Sequence, residues 1–392
     1  MPTESTFVLA GLFILAAACG WAIKVYSDRD RDPPARISAD YIRGLNLVLN
    51  RRTDEALELF VQMAKVDDET LETHFALGHL FRRRGEIERA IRVHENLLAR
   101  PNLNEAQRDQ ALFSLAEDYL GAGLYDRAEQ HFLELADSET LAQAALEKLV
   151  YIYEREREWL KAIEAQRKLE VLSGEKSTQV AHYYCELAEQ ARAAGDLELA
   201  QNYLKTTVRS ESGALRGALI RAAIAHELGD HQLALGLYEQ VLESDRRFTA
   251  DVLPRLLESY ERSRGIEEFD RYIERLVGQD PTLVKEIAYA AIINDLTQAP
   301  SLVRAVESFV LHNEVLADLV NVEELKSLPP EQRREAIARV ARGLRQIALS
   351  SARYRCTNCG YSTQRFIWHC PSCKLWETVR PIHAFQLEAL VA

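Results

Sequence analysis

The feature that most constrains this chain is a pair of small residues, twelve positions apart, that recurs along it. Gly44 with Ala56 is the first pair and Gly78 with Ala90 the second. Ala116 with Ala128, Val150 with Ala162, Ala188 with Ala200 and Ala222 with Ala234 continue the series, Val150 being its one larger member. Successive pairs start 34, 38, 34, 38 and 34 residues apart. Apolar residues keep a helical period from Ile37 to about Val320, and no stretch alternates as a strand would. A repeat of this length built from helical segments implies stacked helix pairs, each burying a face it could not bury alone. With 17 glycines and 11 prolines in 392 residues, the chain also lacks the turn residues that a fold of many β-hairpins needs.

The spacing has a mechanical basis. A small first residue lets the opening helix of a unit lie close to its partner, and the alanine does the same from the second helix. Gly85, Gly123, Gly195 and Gly229 fall between the two, where a left-handed residue ends the first helix. Phe60, Phe81, Tyr119, Phe132, Tyr153 and Tyr238 fill the remaining interface. In period and residue classes the series resembles the tetratricopeptide repeat. A seventh unit around Gly265 and Pro281 is degraded, with Asp270 at the alanine position. Residues 282–349 read as further helical, degenerate repeats. The first helices of such an array line a concave face that takes partners. Here that face would carry Phe75, His79, Arg82 and Arg83 in the second unit, and Glu147, Tyr151 and Glu154 in the fourth. Ordinary solvated helix positions carry the same residue types.

The N-terminus is different. Phe7 to Ile23 contains no charge and as a helix would span ~26 Å, close to the thickness of a hydrocarbon core. Trp21 and Tyr26 stand where interfacial aromatics sit, and Lys24, Arg29, Arg31, Arg36 and Arg43 follow. Only Glu4 is charged before the segment, so a secretory signal with its positive leader does not fit. Ala16 to Cys19 offers a faint lipidation site without the usual leucine. The expectation is a transmembrane anchor over 1–26, a juxtamembrane spacer over 27–36 stiffened by Pro33 and Pro34, and a body on the cytoplasmic side.

Charge is unevenly spread. The net charge is −12, yet residues 326–392 carry eleven basic side chains against four acids, which leaves −19 for residues 1–325. An acidic body excludes a general nucleic-acid binder, because phosphate neutralisation needs clustered Lys and Arg. The basic run Arg333–Arg345 suits anionic headgroups or an acidic partner.

Four of the six cysteines lie in this basic end, as Cys356-Thr-Asn-Cys359-Gly and Cys370-Pro-Ser-Cys373. Two residues between cysteines let both thiolates of a knuckle face one ion, and two knuckles supply a tetrahedral sulfur set. Cys356, Cys359, Cys370 and Cys373 are therefore expected to hold one metal ion. Cys-x-x-Cys-Gly is also the rubredoxin knuckle, and soft thiolates accept iron or zinc. A cytoplasmic placement argues against disulfides. His369 is expected outside the ligand set, Cys185 as a buried repeat residue, and Tyr361, Phe366, Trp368 and Trp376 as packing around a site too small for its own core. No nucleophile elbow, phosphate loop or metal-hydrolase motif occurs, so the expectation is a non-enzyme.

The predicted fold class is all-α: a tetratricopeptide-repeat superhelix over 37–281, with an N-terminal transmembrane helix and a small rubredoxin-like metal-knuckle domain over 350–392. In that order these parts resemble the lipopolysaccharide assembly protein B family of Gram-negative bacteria. Asp40–Asn46, Leu77–Glu86, Ala122–Glu129, Ala181–Ala188 and Tyr354–Cys373 carry the resemblance, and 282–349 matches poorly. The resemblance implies a single-pass inner-membrane adaptor that presents the deacetylase LpxC to the membrane protease FtsH, opposed by an inner-membrane sensor protein. A scaffold for lipopolysaccharide enzymes and rubredoxin-type electron transfer are the alternatives. Direct binding of lipopolysaccharide and self-association stay open.

Overall fold

A computed structural model describes residues 39–50, 52–66, 71–207, 213–382 and 385. The expected anchor over 1–26 and spacer over 27–36 lie outside the described residues. Among the described residues no helix is long and apolar enough to cross a membrane. The chain divides into two compact units, the first ending at Ile152 and the second beginning at Tyr153.

The first unit is made of antiparallel helix pairs: α1 (Ala39–Leu49) with α2 (Thr53–Val66), α3 (Leu71–Arg83) with α4 (Ile87–Leu98), and α5 (Glu105–Gly121) with α6 (Tyr125–Leu135). Helix α7 (Ala142–Glu156) follows, its residues from Tyr153 onward belonging to the second unit. The small positions sit where the repeat logic places them. A Cβ added to Gly44 would lie 2.4 Å from the Phe60 ring, and one added to Gly78 would lie 2.4 Å from His94. Ala56, Ala90, Ala116 and Ala128 have no exposed surface. Asn104, in the longer connection before α5, accepts from the Gln107 amide, and the Gln107 side chain accepts from the Asn104 amide. That reciprocal cap closes the helix start.

The second unit continues the pattern with α8 (Trp159–Ser173), α9 (Gln179–Ala193), α10 (Leu197–Thr207), α11 (Ala214–Glu227) and α12 (His231–Ser244). Ala162, Ala188, Ala200, Ala222 and Ala234 are fully buried, and so is Cys185, as expected. Gly85 and Gly123 in the first unit and Gly195 and Gly229 in the second have φ between 76° and 84°, the left-handed turn predicted from their position. In the fourth repeat that place, seven residues after the small position, belongs to Arg157, which adopts φ 59°.

A 3₁₀ turn (Arg246–Phe248) leads to α13 (Thr249–Ser263) and α14 (Ile266–Gln279), the degraded seventh pair. Asp270, at its alanine position, accepts from the Ser301 amide at 2.7 Å and so ties this pair to the next segment. There α15 (Leu283–Asn294) pairs with α16 (Pro300–His312). Two short helices, α17 (Glu314–Leu319) and α18 (Val322–Ser327), lead to the long α19 (Pro330–Ser350), which lies across both α15 and α16. Enclosed by α13, α16 and α19, α15 is buried all round from Ile287 to Ile293, which accounts for its apolar sequence.

The chain ends in a three-stranded antiparallel sheet of order β2-β1-β3, with β1 (Tyr354–Cys356), β2 (Ser362–Thr363) and β3 (Val379–Pro381). Its own core is minimal, formed by Tyr354, Cys356, Cys370 and Val379 with Phe366 and Ile367 against them.

Candidate metal centre

Strand β1 delivers Cys356, and a tight turn returns the chain to β2. In that turn the Gly360 amide donates to the Cys356 carbonyl at 3.0 Å and the Cys356 amide donates to the Tyr361 carbonyl at 2.7 Å. The second knuckle repeats this pattern. The Lys374 amide donates to the Cys370 carbonyl at 2.9 Å, and the Cys370 amide to the Leu375 carbonyl at 3.0 Å. Gly360 is left-handed at φ 76°, and Lys374 takes the same conformation at φ 60°. Two knuckles of one geometry thus face each other.

Their four Sγ atoms lie within 4.8 Å of one another. Cys356 and Cys373 are 3.7 Å apart across the knuckles, and so are Cys359 and Cys370. A disulfide would need ~2.05 Å. Tetrahedral ligands about 2.3 Å from an ion sit about 3.8 Å from one another, so the set fits a bound metal. The surroundings also favour thiolates. The adjacent Thr378 hydroxyl and the backbone amides of Asn358 and Cys359 pull the Cys356 thiol down to about 6. The Leu375 amide lowers Cys373, whereas burial pushes Cys370 up to about 11. Cys356 and Cys370 are buried and Cys359 is exposed. Bound there, iron would supply one-electron chemistry and zinc a structural cross-link.

His369 is not in the sulfur set. Its Nε2 lies 3.0 Å from the Lys374 carbonyl oxygen, and its ring stacks on Trp376 with centroids 4.6 Å apart. The expected packing of aromatics around the site holds for Phe366, but Tyr361 is exposed, and Trp368 and Trp376 turn away to the helices of the second unit. The physical reason is size: a module with so small a core gains more by burying its large rings against a neighbour. Trp376 lies between His369 and His182, the latter stacked at 4.9 Å and 11°, and its Nε1 donates to Glu154 at 3.0 Å. Trp368 stacks on Phe248 at 5.9 Å. The Arg216 guanidinium stands 5.6 and 5.8 Å from the two indole rings. Glu377 accepts from the Gly213 amide, and Tyr354 donates to Asp251. Glu154, His182, Arg216 and Asp251 all belong to first helices of their pairs. The face expected for partners is, in this unit, occupied by the chain's own C-terminal module.

In the first unit, Phe75, His79 and Arg82 surround a buried polar group. His94 meets Asp118 at 2.5 Å, Arg82 pairs with Asp118 and Glu117 at 2.7 Å each, and His79 lies 3.4 Å from the Ser114 hydroxyl. The Phe75 ring lies tilted 6.2 Å from that of His94. Arg83 and Tyr151 are exposed. Burial and the neighbouring Arg82 lower the His79 pKa.

Comparison with known proteins agrees with this layout. Residues 354–381 match a family described as a rubredoxin metal binding domain, and residues 73–107 and 185–247 match tetratricopeptide repeats. Lipopolysaccharide assembly protein B of Escherichia coli K12 is 33% identical over 385 residues, 95% of this chain and 97% of that protein. The chain belongs to the lipopolysaccharide assembly protein B family. The family protein of Haemophilus influenzae is 28% identical over 95% of this chain and 97% of its own length. In fold, the chain is similar to a solved structure of Naa15/Naa10 bound to HypK, with TM-score 0.50 and 17% identity over 80% of this chain and 47% of that one. Sequence reasoning found the four cysteines and placed Glu154 on the concave face, but missed His182, Arg216 and Phe248, which help seat the module on the helices. Trp376, beside the second knuckle, was the available signal: a large apolar ring on a module too small to enclose it.

Proposed function

We propose that this chain is an inner-membrane adaptor in lipopolysaccharide assembly, presenting the LpxC deacetylase to the FtsH protease. The observation that carries the reading is the kinship with proteins named for lipopolysaccharide assembly over 95% of the chain, repeats and metal module included. Residues 1–26 serve as the single-pass anchor, supported by the uncharged run Phe7–Ile23 and the basic residues after it. A short spacer then holds the body at the cytoplasmic face, where tethering raises the effective concentration of a presented substrate without any catalytic group. The inner-membrane sensor would act against this presentation.

Depletion of the protein tests the reading through the half-life of LpxC. A longer half-life with rising lipopolysaccharide is expected, and an unchanged one overturns the adaptor role. Deleting residues 1–26 should abolish the effect; full activity of the shortened chain would refute the tethering. Exposure of Cys359 favours a second reading, rubredoxin-type electron transfer. Metal content and visible absorbance of the purified chain separate the two: zinc alone in an active protein removes the redox reading.

A further inference from the structure

Helix α19 does not seal the surface it covers. Between α15, α16 and α19 lies a cleft of about 410 Å³, within the ~300–1,000 Å³ typical of ligand pockets. Its walls include Ile292, Val303, Val306, Ile337, Ala338 and Ala341. Ala338 and Ala341 are small residues that α19 presents to it, where larger side chains would take up its space. The polar residues of the lining are unequal in state. Asp295 is paired with Arg345 at 3.3 Å, and Glu307 with Arg333 at 3.7 Å. Arg334 and Arg342 also line the cleft, are exposed, and have no acidic partner among the described residues. Eight positions apart, they lie along one side of the helix, about 12 Å from each other.

An aliphatic interior with unpaired guanidinium groups beside it selects its occupant. A peptide segment would bring amide groups against the apolar walls of Ile292, Val303, Val306 and Ile337, at a cost of ~2 kcal/mol or more for each group left unpaired. A fatty acyl chain has no such groups, and burying it gains about 0.8 kcal/mol per methylene. An anionic head group at its end would meet Arg334 and Arg342 with charge-assisted hydrogen bonds. We propose that this cleft binds an amphiphile made of a fatty acyl chain with an anionic head group.

The test uses the full chain in zwitterionic nanodiscs and a photoactivatable dodecyl phosphate. Mass spectrometry should locate its cross-links on α15, α16 and α19. Unlabelled dodecyl phosphate should compete, while inorganic phosphate and dodecanol at equal concentration should not. Arg334→Gln with Arg342→Gln should weaken competition about tenfold, and Ala341→Phe should remove the cross-links by filling the cleft. Circular dichroism at the wild-type melting temperature confirms that each variant is folded; Ala338→Met serves as the filling variant if Ala341→Phe is not. Cross-links scattered over the surface, cross-links unchanged in the filled variant, competition by inorganic phosphate alone, or displacement only by an acidic peptide would each overturn the proposal.

Discussion

Arg157 shows how a repeat transmits a backbone requirement to a residue poorly suited to it. The place seven after the small position must be left-handed for the second helix to turn back, and in the fourth repeat an arginine meets that demand at φ 59°. A non-glycine residue loses roughly 1–2 kcal/mol there, and glycine returns part of that through the freedom of the unfolded chain. Arg157→Gly should therefore stabilise the protein by about 0.5–1 kcal/mol, read as a higher urea midpoint; a lower midpoint would show that the side chain is needed. Gly78 makes the opposite case. Ala is the better helix former by ~1 kcal/mol, but its Cβ would sit 2.4 Å from a His94 ring held by Asp118. Gly78→Ala should destabilise by about 1–3 kcal/mol, with circular dichroism melting as the measurement. The need for a small residue at position 78 was legible from the period alone. The left-handed state of Arg157 and Lys374 was not, because nothing in those side chains marks it; only their register against Gly85 and Gly360 does.

The helix pairs were legible because each repeats the same demand, so six weak signals add. Residues 282–349 escaped that logic. Helix α15 is apolar on every side, and the helix that completes its cover, α19, arrives some forty residues later with no periodic signal to announce it. The four-cysteine site was legible because ligand spacing is a local property. The seat of the metal module was not, since His182, Arg216 and Phe248 are distant in sequence and each reads as an ordinary repeat residue. That seat can be tested as an element. Trp376 stacks on His182 and donates to Glu154. Truncating a buried aromatic of this kind costs ~3–5 kcal/mol. Trp376→Ala should thus loosen the module without melting the helices. Hydrogen exchange would show faster exchange over residues 354–381 and unchanged protection in α9 and α11. Protection lost throughout α9 and α11 would mean that the ring supports the repeats themselves.

At the scale of the second unit, the seat makes stability depend on pH and on metal. His182 is buried, and desolvation, followed by the charges of Arg216 and His369, lowers its pKa to about 3. Glu377, 3.4 Å from its Nε2, is the acid facing it. The unfolded histidine titrates near 6.5, so below that value the unfolded chain takes up a proton that the folded one refuses. Stability is full above pH ~6.5 and falls by up to ~1.4 kcal/mol per pH unit below it, until the folded value is reached. The melting temperature should drop between pH 7 and 5, and His182→Asn should flatten that drop; an equal drop in the variant would assign the pH dependence to other groups. Metal removal acts through the same seat. The module has a small core, and apart from a short sheet and a few hydrogen bonds its two knuckles would be joined by the ion their four sulfurs surround. The helices, by contrast, bury their repeat alanines against one another, and only a few of their aromatics, such as Phe248, against the module. A strong chelator should therefore separate the two, leaving helical circular dichroism nearly intact while Trp368 and Trp376 become exposed, seen as a red shift in their fluorescence. Trp159 lies 6.2 Å from Trp376 and would add to that shift. Loss of the helical signal together with the fluorescence change would show instead that the repeats of this unit need their own C-terminal module to stay folded.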